Sequence, residues 1–198
     1  MKKTSMAIVA ISCLLAVSCR KDPSSQLSDE ESRIYITNKA TGTNFGKFIT
    51  FAVRDSVLNV DGDDRKYQLN NVDRAFIEAV RSNMRARGYV EVPANQAPDL
   101  GLLVSRITKT STGTIIWGGG WGGGGWWGWG PPLWGVTTFE IREGMLAVDM
   151  GDVNKAPIGN QIKLVWSGLI RGRGIFDVNT AQSQIDQLFV QSPYIKKG

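Results

Sequence analysis

The chain has 198 residues, is 42% apolar and 21% charged, and carries a formal net charge of +5. That length fits about one domain. It contains no histidine and only two cysteines, Cys13 and Cys19, which excludes Ser-His-Asp and Cys-His catalysis, histidine metal sites, a histidine pH switch, and any zinc cluster or disulfide framework.

Residues 1–18 read as a targeting signal. Lys2 and Lys3 form a positive start, Met6 to Val17 is a short apolar run, and Ala16-Val17-Ser18 puts small residues before Cys19. The apolar run is much shorter than the roughly 20 residues that a spanning helix needs. The pattern resembles a bacterial lipoprotein signal, in which Cys19 becomes the lipidated first residue. It departs from that motif at Ala16, where Leu is more usual. Removing residues 1–18 takes away Lys2 and Lys3 and leaves a side-chain balance of +3. That is too mild for a nucleic-acid footprint. Arg20 stands where an Asp would signal inner-membrane retention, so the resemblance implies the outer membrane, with the facing side open. Residues 19–32 read as a polar tether. Within it, Asp29-Glu30-Glu31 is a solvated charge run or part of an export signal.

From residue 33 to 198 the pattern predicts one domain. Arg33 to Thr37 is β-prone. Phe48 to Val53 is a strand with Ile49, Phe51 and Val53 on one face, and Val57 to Val60 extends it. Asp61-Gly62-Asp63-Asp64 is a turn, without the spacing or closing Glu of a calcium loop. Asn71 to Arg87 is a helix. Val72, Ala75, Phe76, Ala79, Val80 and Met84 form its apolar stripe, Asn70 or Asn71 its cap, and Gly88 its stop. Arg74, Arg81, Arg85 and Arg87 lie off the stripe, either as a solvated face or as a surface for an anionic partner.

Pro93 and Pro98 precede a strand from Leu100 to Thr108, apolar on both faces at Leu102-Leu103-Val104 and so central in its sheet. Val136 to Arg142 and Leu146 to Met150 form a hairpin about Glu143-Gly144. Ile162, Leu164 and Trp166 share one face of a last strand. Asn179 and Gln182 form a capping box for a helix with Ala181, Ile185, Leu188 and Phe189 on its stripe, ended by Ser192-Pro193. Strands thus outnumber helices, and the predicted class is α+β: a mixed, largely antiparallel sheet of five or more strands with two helices on one face.

Residues 117–135 stand apart. They read WGGGWGGGGWWGWGPPLWG and hold six of the seven Trp and ten of the 23 Gly. No residue there is charged, and Gly runs form neither helix nor strand interior. Trp117, Trp121, Trp126, Trp127, Trp129 and Trp134 carry large apolar surface that a soluble loop does not expose without a reason. Three uses fit: covering the open sheet face or one another, lying at a membrane–water interface, or stacking on a sugar, an aromatic ligand or a protein partner. The run lacks the Gly-Lys-Ser/Thr ending of a phosphate loop.

Several motifs in order resemble a bacterial lipoprotein family that carries the domain of unknown function 4136. They are Thr50-Phe51-Ala52, Arg87-Gly88-Tyr89, Pro98-Asp99-Leu100, the run from Gly144 to Asp152, and Leu164 to Gly168. The resemblance implies an α+β envelope lipoprotein and supplies no catalytic residues. The best pair for an enzyme is Asp149 with Asp152, because paired carboxylates serve glycoside hydrolysis. By alternation, however, Asp149 lies on the outward strand face, and Asp152 starts a turn. The expected molecule is a non-catalytic, lipid-anchored envelope protein without metal or cofactor, contacting its partner through the Trp-rich loop. The alternatives are a carbohydrate-binding module using that loop and, more weakly, a carboxylate-dependent glycan hydrolase.

Overall fold

The structure, a computed structural model, describes residues 26–61, 64–109, 115–116, 136–137, 144–154 and 162–198. In chain order the strands are β1 (Ile34–Lys39), β2 (Thr50–Val53), β3 (Val57–Asp61), β4 (Asp64–Gln68), β5 (Val90–Glu91), β6 (Leu100–Lys109), β7 (Ile115–Ile116), β8 (Val136–Thr137), β9 (Met145–Asp152) and β10 (Lys163–Arg171). The helices are α1 (Asn71–Ala86) and α2 (Ala181–Val190). Among the described residues, no helix is long and apolar enough to cross a membrane.

Eight strands form one mixed sheet in the order β1-β10-β9-β6-β2-β5, with β3 also beside β6 and β4 beside β3. The long pairs β1–β10, β10–β9 and β9–β6 are antiparallel. β2 and β3 both run parallel to β6. The run Leu102-Leu103-Val104 does mark the centre, since all three side chains are buried on alternate faces of β6.

Both helices pack on one face. Phe76, Val80 and Met84 of α1 and Ile185, Leu188 and Phe189 of α2 share a cluster with Phe51, Leu100, Leu102, Leu146, Val148, Met150, Trp166 and Ile170. Each such large side chain contributes roughly 1.5–3 kcal/mol on burial. Trp166 is the anchor. Its indole Nε1 donates to Ser192 Oγ at 2.9 Å, and its ring lies 5.4 Å from that of Phe189. Gly168 makes room for this packing. A Cβ there would stand 2.7 Å from Trp166 Cη2 and 2.8 Å from Leu188 Cδ1.

α1 begins in a capping box. Asn70 Oδ1 accepts from the Asp73 N–H, and Asp73 Oδ2 accepts from the Asn70 N–H, each at 2.9 Å. It stops at Gly88, whose φ of 87° suits only glycine without strain. The fully buried Asp73 has a second duty, because its Oδ1 accepts from Arg106 Nη1 at 3.0 Å. That bond ties the helix start to β6. The Arg106 guanidinium also lies 4.3 Å from the centre of the Phe176 ring. Of the four arginines expected off the stripe, Arg81 and Arg85 pair with Glu78 and Glu91, Arg81 also with Asp55, and Arg87 lies over Phe189. These three cations meet groups of their own chain, as a solvated or self-paired face requires.

Five local expectations are corrected. Ile49 precedes β2 and is 52% exposed; its carbonyl accepts from the Val90 N–H, which fixes β5 instead. Val57 to Val60 does not extend β2 but belongs to a separate strand, β3, which runs parallel to β6 and forms a hairpin with β4, whose sequence DRKYQ has no apolar alternation. The predicted hairpin of Val136–Arg142 with Leu146–Met150 is not formed by its described part. Val136 and Thr137 pair with Ile116 and Ile115, because both edges of β9 are occupied by β6 and β10; residues 138–143 lie outside the described residues. A register shift between Leu164 and Trp166 breaks the expected alternation, so Leu164 and Trp166 do not share a face. Finally, Asp177, not Asn179, caps the chain into α2. Its side chain accepts from the Asn179 N–H at the start of a 3-10 turn, Val178–Thr180.

Replacing Arg106 by Met should leave the buried Asp73 carboxylate without its cation. The expected cost is about 3 kcal/mol or more in urea unfolding. Asp73→Asn in the same chain should return part of that loss, although the cap is weakened.

Candidate functional site

β9 decides the fate of the expected carboxylate pair. Asp149 and Asp152 are an odd number of residues apart on a strand whose pairing to β6 is regular throughout. Their side chains therefore leave opposite faces of the sheet. Asp152 ends β9 and is buried, 3.7 Å from Lys47 Nζ, with its Oδ1 accepting from the Asn154 N–H at 3.3 Å. That bond to the residue two places on is the turn expected of Asp152, set here at a buried strand end. The two carboxylates do not meet across a cleft, so they cannot flank one glycosidic bond as a paired mechanism requires.

Near Asp152 is a clasp that the sequence did not reveal. Asp99 Oδ2 accepts from the backbone N–H groups of Ile49 at 2.6 Å and Thr50 at 2.9 Å. The Asp99 N–H donates to Thr50 Oγ1 at 2.9 Å, and the Asn154 amide donates to Asp99 Oδ1. Burial pushes the Asp99 carboxyl up, but the donors of Thr50, Ile49 and Asn154 together outweigh it and hold it below the usual carboxylate range. Its contribution is present above the unfolded-state pKa and is lost as pH falls through the folded one. These groups satisfy one another and join the starts of β2 and β6 to the end of β9.

Asp149 lies on the other face, opposite Leu103 on β6 and Ser167 on β10. Alternation placed it on the face away from the helices correctly. It is not solvated there, however. The residue is half-buried, and its Oδ1 is enclosed with no hydrogen-bond partner among the described residues. Burial alone pushes the carboxyl up to about 7. Near neutral pH the group thus divides between a neutral acid that can donate and a carboxylate that needs donors. Its surroundings on this face are a second apolar cluster of Ile107, Met145, Ala147 and Leu169, with Val60 against it. Across β10 from this cluster, β1 leaves Ile36 exposed, opposite Leu169.

Cys19 and the six Trp of 117–135 lie outside the described residues. The bracket around the Trp segment is described. Ile116 pairs with Val136 in an antiparallel ribbon, so the 19 intervening residues leave and return at one point. Among the described residues no group of three or more His, Cys, Asp or Glu is placed to hold a metal ion.

An α+β domain emerges, built on one mixed sheet with both helices on one face and a ribbon-bracketed insertion between its central antiparallel strands. The chain belongs to the DUF4136 family (Domain of unknown function), whose model matches residues 36–194. Its structure is similar to the crystal structure of a DUF4136 family protein from Bacteroides thetaiotaomicron VPI-5482. The TM-score is 0.63 and the identity 25%, over 83% of this chain and 98% of that one. A PDZ domain protein from Parabacteroides distasonis ATCC 8503 matches with a TM-score of 0.49 and 14% identity, over 84% of this chain and 37% of that one. No curated protein matches significantly.

The enclosed Asp149 sets a pH dependence of known sign. Its folded pKa of about 7 lies above the ordinary carboxylate value, so the folded state binds the extra proton. Stability should therefore fall as pH rises from about 4 to about 7. Asp149→Asn should remove that slope, measured as the urea midpoint across the range. A slope equal in both proteins would contradict the enclosure of this carboxyl.

Proposed function

We propose that this protein is an outer-membrane lipoprotein, anchored through lipid on Cys19, whose domain works by contact rather than by catalysis. The contact surface is the Trp-rich segment, and the surface it meets is the membrane–water interface beside the anchor. One observation carries the contact part of this reading: the Ile116–Val136 pair closes the uncharged, six-Trp run into a single insertion. Trp is favoured at such interfaces because its ring is apolar and its N–H is polar. Membership of the DUF4136 family is compatible with this reading and assigns no reaction.

The tether geometry also supports proximity. Arg173 holds the Leu27 carbonyl and lies 3.8 Å from Asp29, and its backbone N–H donates to Ser32 Oγ at 3.1 Å. The chain is thus fastened to the domain by residue 27. Seven residues, 20–26, remain between the lipidated cysteine and that point, spanning at most about 25 Å. A domain held this close to a bilayer reaches it with a loop of modest length.

Cys19→Ala should abolish incorporation of labelled palmitate and release the protein from membrane fractions. With the anchor intact, Trp fluorescence should be quenched by lipid-borne quenchers in liposomes and shielded from aqueous ones. Quenching by soluble envelope glycans alone would favour the carbohydrate-binding alternative, and retained palmitate in the Cys19 variant would remove the anchor.

A further inference from the structure

The residues before β1 are fastened to one end of the sheet. Ser28 to Ser32 close into a turn. The Ser28 N–H and Oγ both donate to Glu31 Oε2 at 2.8 Å, and the Ser32 N–H donates to the Ser28 carbonyl at 3.0 Å. This turn lies on the loop after β10. The Arg173 N–H donates to Ser32 Oγ, the Arg173 guanidinium to the Leu27 carbonyl, and Arg33 Nη2 to the Gly174 carbonyl at 3.1 Å. Two glycines permit the close approach. A Cβ at Gly172 would stand 2.7 Å from the Ser32 carbonyl oxygen, and one at Gly174 would stand 3.1 Å from Asp29 Cβ.

The strand registers say which end this is. Ile34 pairs with Arg171, and Arg171 with Met145, so the starts of β1 and β9 and the end of β10 lie together there. Lys163, at the start of β10, and Lys39, at the end of β1, mark the opposite end. The nine residues of β10 separate the two ends by about 27 Å. Around the joint stand three exposed apolar side chains, Leu27, Ile34 and Val178, which are 41%, 53% and 47% accessible. Val178 belongs to this group because Thr180, two residues on, accepts from Arg33 Nη2 at 3.4 Å. Charges of both signs lie beside them. Arg173 faces Asp29, Glu31 is held by Ser28 and Asp177 by Asn179, with Glu30, Arg33 and Arg171 close in the chain.

We propose that this rim is the domain's lipid-facing surface. The joint holds the molecule end-on, with Leu27, Ile34 and Val178 at the headgroup layer and Lys39 and Lys163 pointing away from the bilayer. The proposal rests on the Cys19 anchor. Residues 20–26 span at most about 25 Å, which is less than the length of β10 beyond the joint. Bringing the Lys163 end to the same bilayer would stretch that link past its full extension, and even a partial turn costs it conformational freedom. The joint end needs no extension at all. Apolar side chains among charges of both signs suit the headgroup layer of a zwitterionic bilayer. The lipid supplies the binding, and the rim sets the direction.

Two measurements on the full chain test this seating. In solution, hydrogen exchange should show the Ser32 and Arg33 amides protected. Arg173→Ala combined with Ser32→Ala should speed their exchange on the order of tenfold. Unprotected amides in the parent chain would remove the joint and overturn the proposal. In the second measurement, acetylphenylalanine at Val178 or at Lys163 carries a donor dye. The protein is held by its own anchor on phosphatidylcholine vesicles that bear a headgroup acceptor. Energy transfer from position 178 should exceed that from 163 several-fold, and the difference should shrink when the joint is opened by the two substitutions. Equal transfer, or more from 163, would overturn the end-on seating and leave the anchor standing. Transfer between copies labelled at 178, without transfer to lipid, would make the rim a dimer face and equally overturn it. A chain that fails to float with the vesicles would remove the anchor, and the seating with it, so flotation tells the two failures apart.

Discussion

The fold depends on the central rungs of its sheet, where β6, β9 and β10 are paired edge to edge and buried on both faces. β9 is paired along both edges, with one register shift on the β10 side between Leu164 and Trp166, and pairing on both sides fixes its register. A slip of one residue would send Leu146, Val148 and Met150 off the helix face and bring Asp149 into the hydrophobic layer. The same fixed register sends Asp149 and Asp152 to opposite sides, so the chemistry of each is set by a different environment. Asp152 meets Lys47 and the Asn154 N–H, and Asp149 lies beside an apolar cluster.

That asymmetry organises the molecule. The helix side is closed by Trp166, Phe189, Phe76 and Met84, and pinned at its polar points by Asp73–Arg106 and Trp166–Ser192. These contacts account for a folded domain and leave its purpose undecided. The opposite side carries the enclosed Asp149 and the second apolar cluster.

Much of the helix side was legible in the sequence. The stripe of α1 repeats at the helical period over four turns, with a cap before it and a glycine after it, and local rules suffice for such an element. The double-sided strand around Leu103 was legible for a similar reason. β4 was not, because an exposed strand that among the described residues pairs only with β3 needs no apolar face. The irregularity at Val165 was hidden by an alternation of Ile162, Leu164 and Trp166 that is intact on paper; one extra residue in the ladder reverses it. For Asp149 the sequence showed which face it lies on. Its enclosure depends on layers brought in from distant parts of the chain, and no local pattern encodes that. The Asp99 clasp escaped for the same reason, since its donors, Ile49 and Thr50 on one side and Asn154 on the other, are distant in the chain.

The connection between β6 and β9 has a kinetic and evolutionary side. Two neighbouring antiparallel strands are commonly joined by a tight turn, yet here 35 residues, 110–144, intervene. Closing such a loop costs roughly 2 kcal/mol more than closing a four-residue one, and each doubling of length adds only about 0.6 kcal/mol. The central rung of the sheet is therefore a late, non-local contact during folding. By the same logarithm, related chains can lengthen or shorten the glycine run with little thermodynamic consequence. The length of this insertion is free to drift, while its two ends are fixed by the strands they join.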